Sequence, residues 1–127
     1  MERRGQKYHR ERLEGALREE IETILEGELG DPRIGLVNVS EVQLTPDARS
    51  ARIFVVVEGD DQQAAETMKG LAAASGFIRR ELGERFHLRR SPELFFQIDR
   101  SLQLEARIDE LLSRTRKKNV ASDRRRK

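Results

Sequence analysis

The stretch from Ala74 to Arg90 concentrates the residues that could do chemistry. Ala74, Ser75 and Gly76 are small, and Arg79, Arg80, Arg85, Arg89 and Arg90 follow within fourteen residues of Gly76. Guanidinium groups present rigid forks of N–H donors that suit phosphate oxygens. Small residues let another backbone approach, and glycine tolerates angles that other residues avoid. A helix starting at Gly76 would leave its first amides without intrahelical partners, and these amides with the helix dipole favour an anion. The eight residues together therefore form a candidate phosphate-binding patch, with Arg49 and Arg52 as weaker members. The competing reading is a packing kink at Gly76 followed by solvated arginines, some paired with Glu81 or Glu84. Exposed pairs contribute only about 0–1 kcal/mol.

Catalytic chemistry has little to stand on. His9 and His87 are far apart, and neither has a metal-ligand neighbour four residues on. His87 reads as a helix-end residue. The chain has no cysteine, hence no thiol nucleophile, disulfide framework or cysteine metal site. No phosphate-cradling G-x-x-x-x-G-K-[ST] loop and no G-x-S-x-G elbow occurs. An acidic run, "EEIETILEGELGD", spreads its carboxylates around a helix and reads as a solvated face. The expectation is a non-enzyme with no metal and no cofactor.

Charge points the same way. The 127 residues carry a net charge of only +2, with 38% charged and 36% hydrophobic. The sequence pI is nonetheless about 9.3. Basic residues gather at the ends: Arg3, Arg4, Lys7, Arg10 and Arg12 at one, and Arg114, Arg116, Lys117, Lys118 and Arg124 to Lys127 at the other. Two basic ends around a mixed-charge body suggest a polyanion partner. The last ten residues read as disordered when free, which allows ordering on a nucleic acid. No apolar run reaches the roughly 20 residues of a membrane span, and the start lacks a signal-peptide core. A cytoplasmic protein without a membrane role is expected.

The elements that must position the patch follow from periodicity. Leu13, Leu17, Ile21, Ile24, Leu25 and Leu29 form one helical stripe from about Tyr8 to Leu29, ended by Gly30 and Asp31-Pro32. "IGLVNVSEVQL" is a strand whose alternation slips between Val39 and Val42, a sign of a bulge or strong twist. "TPDAR" supplies a turn, and "ARIFVVVE" is apolar on both faces, as a central covered strand would be. Asp60 or Asp61 caps the next helix, buried through Ala65, Met68, Leu71 and Ala72. Gly76 interrupts it, and Ile78, Leu82 and Phe86 mark a second helix. "SPELFFQID" is a third strand, started by Pro92. Ser101 caps a last helix bearing Leu104, Ile108, Leu111, Leu112 and Thr115. A right-handed crossover sets the second and third strands parallel and adjacent, with the first strand on the other side. Helices cover one face of the sheet. Phe54, Phe77, Phe86, Phe95 and Phe96 mostly fall where a core is expected. That argues for phosphate and shape recognition over aromatic stacking.

Two helices joined at a small-residue junction between strands resemble the K-homology (KH) fold, whose junction is typically G-x-x-G. Here it is of A-x-G type. With "ILEGELGDPRIG", "VQLTPDARSARIFVVV", "AAASGFIRREL", "LRRSPELFFQID" and "RIDELL" in this order, the chain resembles the bacterial ribosome-binding factor A family over roughly Arg12 to Leu112. The resemblance implies an α+β, type II KH-like fold of α-β-β-α-α-β order, to which the periodicity adds the last helix, for α-β-β-α-α-β-α. Its three-stranded mixed sheet is covered by helices, with a kinked helix pair at Ala74-Ser75-Gly76. A basic arm (1–7), an RNA-binding domain (8–116) and a basic tail (117–127) are expected. The resemblance further implies a non-catalytic assembly factor for the immature small (30S) ribosomal subunit and its 16S rRNA. It would support late maturation and 5′-end processing, serve growth in the cold and leave before translation. A monomer, with other assembly factors including a GTPase as candidate partners, is the expected state. Two other readings stay open: a KH-like regulator of messenger or small RNA, and a protein adaptor using the acidic face of the first helix.

Overall fold

The computed structural model describes residues 4–27 and 29–125, with side chains as far as Thr115. Arg3 of the expected arm, and the tail's side chains from Arg116 onward, lie outside what is described. The elements are α1 (Arg4–Gly27), β1 (Val37–Leu44), β2 (Ser50–Val57), α2 (Asp61–Arg85), β3 (Glu93–Ile98) and α3 (Ser101–Arg125). The sheet order is β1-β2-β3, with β1 antiparallel and β3 parallel to β2. This is the expected mixed sheet with a central second strand. The register of β1 on β2 shifts between Val39 and Glu41, which places a bulge where the alternation slips.

The core forms where the apolar side of the sheet meets two helices. Val39, Val42 and Leu44 of β1, Ala51, Ile53 and Val55 of β2 and Leu94 of β3 are buried with Leu17, Ile21 and Ile24 of α1 and Leu71, Ile78 and Leu82 of α2. α1 packs on β1, α2 on β3, and the two helices touch. The acidic run is less solvated than expected. Glu22 Oε1 accepts from the Val39 N–H at 3.0 Å, and Glu20 pairs with Arg85 of α2. Glu14, earlier on α1, accepts from the Leu44 N–H at 2.7 Å. Glu14 and Glu22 satisfy part of the outer edge of β1, which would otherwise be a template for another strand.

One expectation is corrected. The segment expected as two helices broken at Gly76 is a single helix, α2, running through Ala74, Ser75 and Gly76 without interruption. The element order is therefore α-β-β-α-β-α. A glycine costs a helix only about 1 kcal/mol, and burial of Leu71, Ile78 and Leu82 on one stripe outweighs that. Continuity also fixes the phase. Thr67, Leu71, Ala74, Ile78 and Leu82 share the core-facing side, so Ala65 and Ala72, expected inside, are exposed. The cap is Asp60: its side chain accepts from the Gln63 N–H, and the Gln63 side chain accepts from the Asp60 N–H.

The stretch "GDPRIG" is clamped against α2. Asp31 holds Arg33 through its side chain, at 3.0 Å to Nε and 2.6 Å to Nη2. Thr67 Oγ1 accepts from the Gly35 N–H at 3.3 Å and donates to the Arg33 carbonyl at 3.4 Å. Ile34 lies so close to Gly70 that a Cβ there would sit 2.6 Å from its Cγ1.

Candidate nucleic-acid interface

With α2 continuous, the expected anion site at a helix start near Gly76 disappears, because the amides there belong to the interior of a helix. What remains is a face. Helical spacing places Lys69, Ala72, Ala73, Gly76, Arg79 and Arg80 on the exposed side of α2. Nothing lies within 4 Å of where a Cβ on Gly76 would be. Ala72, Ala73 and Gly76 thus make a smooth strip, with Lys69 at one end and the arginines at the other. Sequence reading missed Lys69, Ala72 and Ala73, because a broken helix leaves their phase relative to Gly76 undefined.

The helix end brings the loop cations to the same place. α2 closes with Phe86 N–H to Leu82 O at 3.0 Å, His87 N–H to Glu84 O at 3.4 Å and Leu88 N–H to Gly83 O at 2.9 Å. His87 takes the left-handed conformation, with φ of 52°. This is the arrangement that satisfies a helix's last carbonyls and turns the chain. The chain then runs back beside α2: Arg79 Nε donates to the Ser91 carbonyl at 3.0 Å, and Ser91 Oγ donates to the Arg79 carbonyl at 2.6 Å. Phe86, Leu88 and Ser91 are half-buried and Pro92 buried, while His87, Arg89 and Arg90 are exposed. The loop is anchored at these four positions and presents His87, Arg89 and Arg90 outward.

The eight sequence candidates therefore divide. Gly76, Arg79, Arg80, Arg89 and Arg90 are exposed around one end of α2. The side chains of Arg80, Arg89 and Arg90 make no ion pair or hydrogen bond with any described residue. Ala74 packs against the core. Ser75 spends its hydroxyl on the Ala72 carbonyl at 2.7 Å. Arg85 ties α2 to α1 through Glu20 and also contacts Glu81 at 3.3 Å. Of the weaker candidates, Arg52 is exposed on the far face of the sheet, and Arg49 approaches Asp47 at 3.9 Å.

Electrostatics distinguish the two ends of α2. A cleft of about 700 Å³ at its N-terminal end is lined by Pro32, Arg33, Leu36, Glu58, Asp60 and Glu66, among others. Asp31 holds Arg33 there, and this pairing drops the Asp31 carboxyl to about 2 through the hydrogen bonds from Arg33. The Arg33 charge is thereby compensated, as is that of Glu66 by Lys69 at 3.5 Å, and the remaining lining charges, Glu58 and Asp60, are acidic. The arginine end lies more than a dozen residues along, about 20 Å away at 1.5 Å per residue. A phosphate-bearing partner is repelled at one end and attracted at the other. Among the described residues no group of three or more His, Asp or Glu could hold a metal ion. No described helix is long and apolar enough to cross a membrane.

The comparisons with known proteins agree on one family. The family model described as "Ribosome-binding factor A" matches residues 9–112. A relative of that name from Koribacter versatilis is 52% identical over 122 residues, covering 96% of this chain and 99% of its own. One from Halothermothrix orenii is 44% identical over 113 residues, covering 89% and 92%. The crystal structure of ribosome-binding factor A from Thermus thermophilus superposes with a TM-score of 0.65 at 25% identity, over 72% of this chain and 97% of that one. A homology model of the factor from the same organism, fitted into a cryo-EM map of a 30S complex, superposes with a TM-score of 0.59 at 27% identity, over 70% and 93%. The chain belongs to the ribosome-binding factor A family.

Proposed function

We propose that this protein is an assembly factor for the small ribosomal subunit, which it binds through the 16S rRNA by the arginine end of α2. The observation that carries this reading is the set of unpaired, exposed Arg80, Arg89 and Arg90 beside the smooth Ala72-Ala73-Gly76 strip. Arginines without internal partners are available for phosphate, and phosphate contacts set the register of a protein on RNA. The small strip lets the RNA backbone lie close to the helix. A family relative fitted to a 30S complex supports the same partner. Arg79 contributes charge while its Nε holds the loop.

The mechanism is binding, without turnover. Contacts made better with one arrangement of the subunit's RNA than another shift the population toward it. In this reading the factor acts late in maturation, favours 5′-end processing and growth in the cold, and leaves before translation. It works in the cytoplasm as a monomer, with a GTPase among the factors that act beside it. Residues 8–116 form the binding unit, and the basic segments 1–7 and 117–127 add charge at its margins.

Gradient sedimentation of cell extract tests the class. The protein is expected to co-migrate with free small subunits and to be absent from translating ribosomes. Recovery on other RNAs, with none on small subunits, would replace this reading with that of a messenger or small-RNA regulator. Binding that survives nuclease treatment would favour the protein adaptor. Affinity for the subunit should also fall steeply with salt, by about one unit of log–log slope per phosphate contact.

A further inference from the structure

Two apolar surfaces have no part in the binding proposed above. The first is α3. Leu104, Ile108 and Leu111 share one side of it at spacings of four and three, and are 59%, 46% and 52% exposed. Every described side chain of α3 is exposed. The second is the sheet face opposite the helices. There Phe95, expected in the core, is 46% exposed, and Phe54 and Val56 of β2 are half-buried further along the same face. Register places Arg52 next to Phe95 and Phe54 next to Gln97. Glu41 and Glu93 lie on the same face, so its charge is near balance. That disfavours RNA there.

We infer that α3 is a strap in its open position, and that its closed position is this sheet face of the same chain, with Leu104, Ile108 and Leu111 over Phe95, Phe54 and Val56. Only Asp99 and Arg100 separate β3 from α3. No other described segment of comparable apolar character is tethered so near, and a short tether gives a high effective concentration. The surfaces match in size. Leu104 to Leu111 spans about 10 Å of helix, and the patch from Val56 to the level of Phe95 spans about 13 Å along the strands. The charges match as well. Arg107 and Arg114 lie seven residues apart along one flank of the stripe, with Arg100 just before it, within reach of a face that carries Glu41 and Glu93; Arg114 is paired with Glu110 in the open position. Asp99 acts as the latch of the open position. Its Oδ1 accepts from the Ser101 N–H at 2.9 Å, and its Oδ2 from Ser40 Oγ, at the β1 bulge, at 2.6 Å. Release of these bonds lets α3 turn back over the sheet.

The chain has no tryptophan and no cysteine, so single probes report cleanly. In the full chain, Phe95→Trp supplies an indole on the sheet face. The closed strap predicts blue-shifted emission that acrylamide quenches weakly. Adding Leu104→Ser, Ile108→Ser and Leu111→Ser should shift emission to the red and raise quenching several-fold, with far-UV circular dichroism confirming the fold. Shielding should be the same in dilute and concentrated protein. An indole equally quenched with and without the stripe would overturn the proposal. So would shielding that appears only on concentration, which would make a second copy the occupant. If Phe95→Trp does not fold, nitroxide labels on Gln43→Cys and Ser113→Cys give a second reading. A distance population shorter than the open helix allows is expected, and its absence would overturn the proposal.

Discussion

Two glycines on α2 have opposite roles, although each sits inside a helix where glycine costs about 1 kcal/mol. A Cβ on Gly76 meets nothing. Gly76→Ala should therefore raise stability by about 1 kcal/mol in denaturant titration, while adding a methyl to the strip and weakening subunit binding. Loss of stability would show that the helix is not regular there. A Cβ on Gly70 would lie 2.6 Å from Ile34 Cγ1. Gly70→Ala should lower stability by about 1–3 kcal/mol, the usual cost of overpacking, less the gain in helix propensity. Asp31 offers a titration at the same scale. Its carboxyl is lowered from 3.8 to about 2 by Arg33. A lowered carboxyl stabilises the fold above its unfolded value, and that contribution fades as pH falls from about 4 through about 2. Carboxyl NMR should give Asp31 a midpoint near the lower figure. Arg33→Ala should move it up toward the ordinary carboxylate range, with the backbone N–H of residue 33 still donating to it.

The elements show how much of the fold is legible in the sequence. The stripe of α1, the bulge in β1 and the central β2 follow from apolar spacing and turn residues, each dictated locally, and the parallel β3 follows from the handedness of its crossover. The break expected at Gly76 fails for a physical reason. Local propensity marks glycine as a helix stop, while the decisive information is the phase shared by Leu71, Ala74, Ile78 and Leu82 across it. That phase also identifies the exposed Lys69, Ala72, Ala73 and Gly76. The pairing of Arg85 is not legible, since Glu20 is distant in sequence and only the meeting of α1 with α2 joins them. Phe95 is misplaced by its residue type, because type alone does not say which sheet face a helix covers. Arg85→Ala should lower stability by about 1 kcal/mol, the loss of a half-buried pair between helices. Subunit affinity measured on the folded variant should change little. A large loss of binding with stability intact would return Arg85 to the interface.

For the whole molecule, the central feature is polarity along α2, with an acidic cleft at one end and unpaired arginines at the other. The direct test is small-subunit binding by Arg80→Glu, Arg89→Glu and Arg90→Glu combined, compared with the unaltered chain at one fixed salt concentration. None of the three side chains makes an ion pair or hydrogen bond with a described residue, so unfolding curves should be nearly unchanged. At roughly 1 kcal/mol per lost charged contact, the dissociation constant should rise on the order of a hundred-fold. An unchanged dissociation constant in a folded triple variant would contradict the account and move the interface off the arginine end of α2.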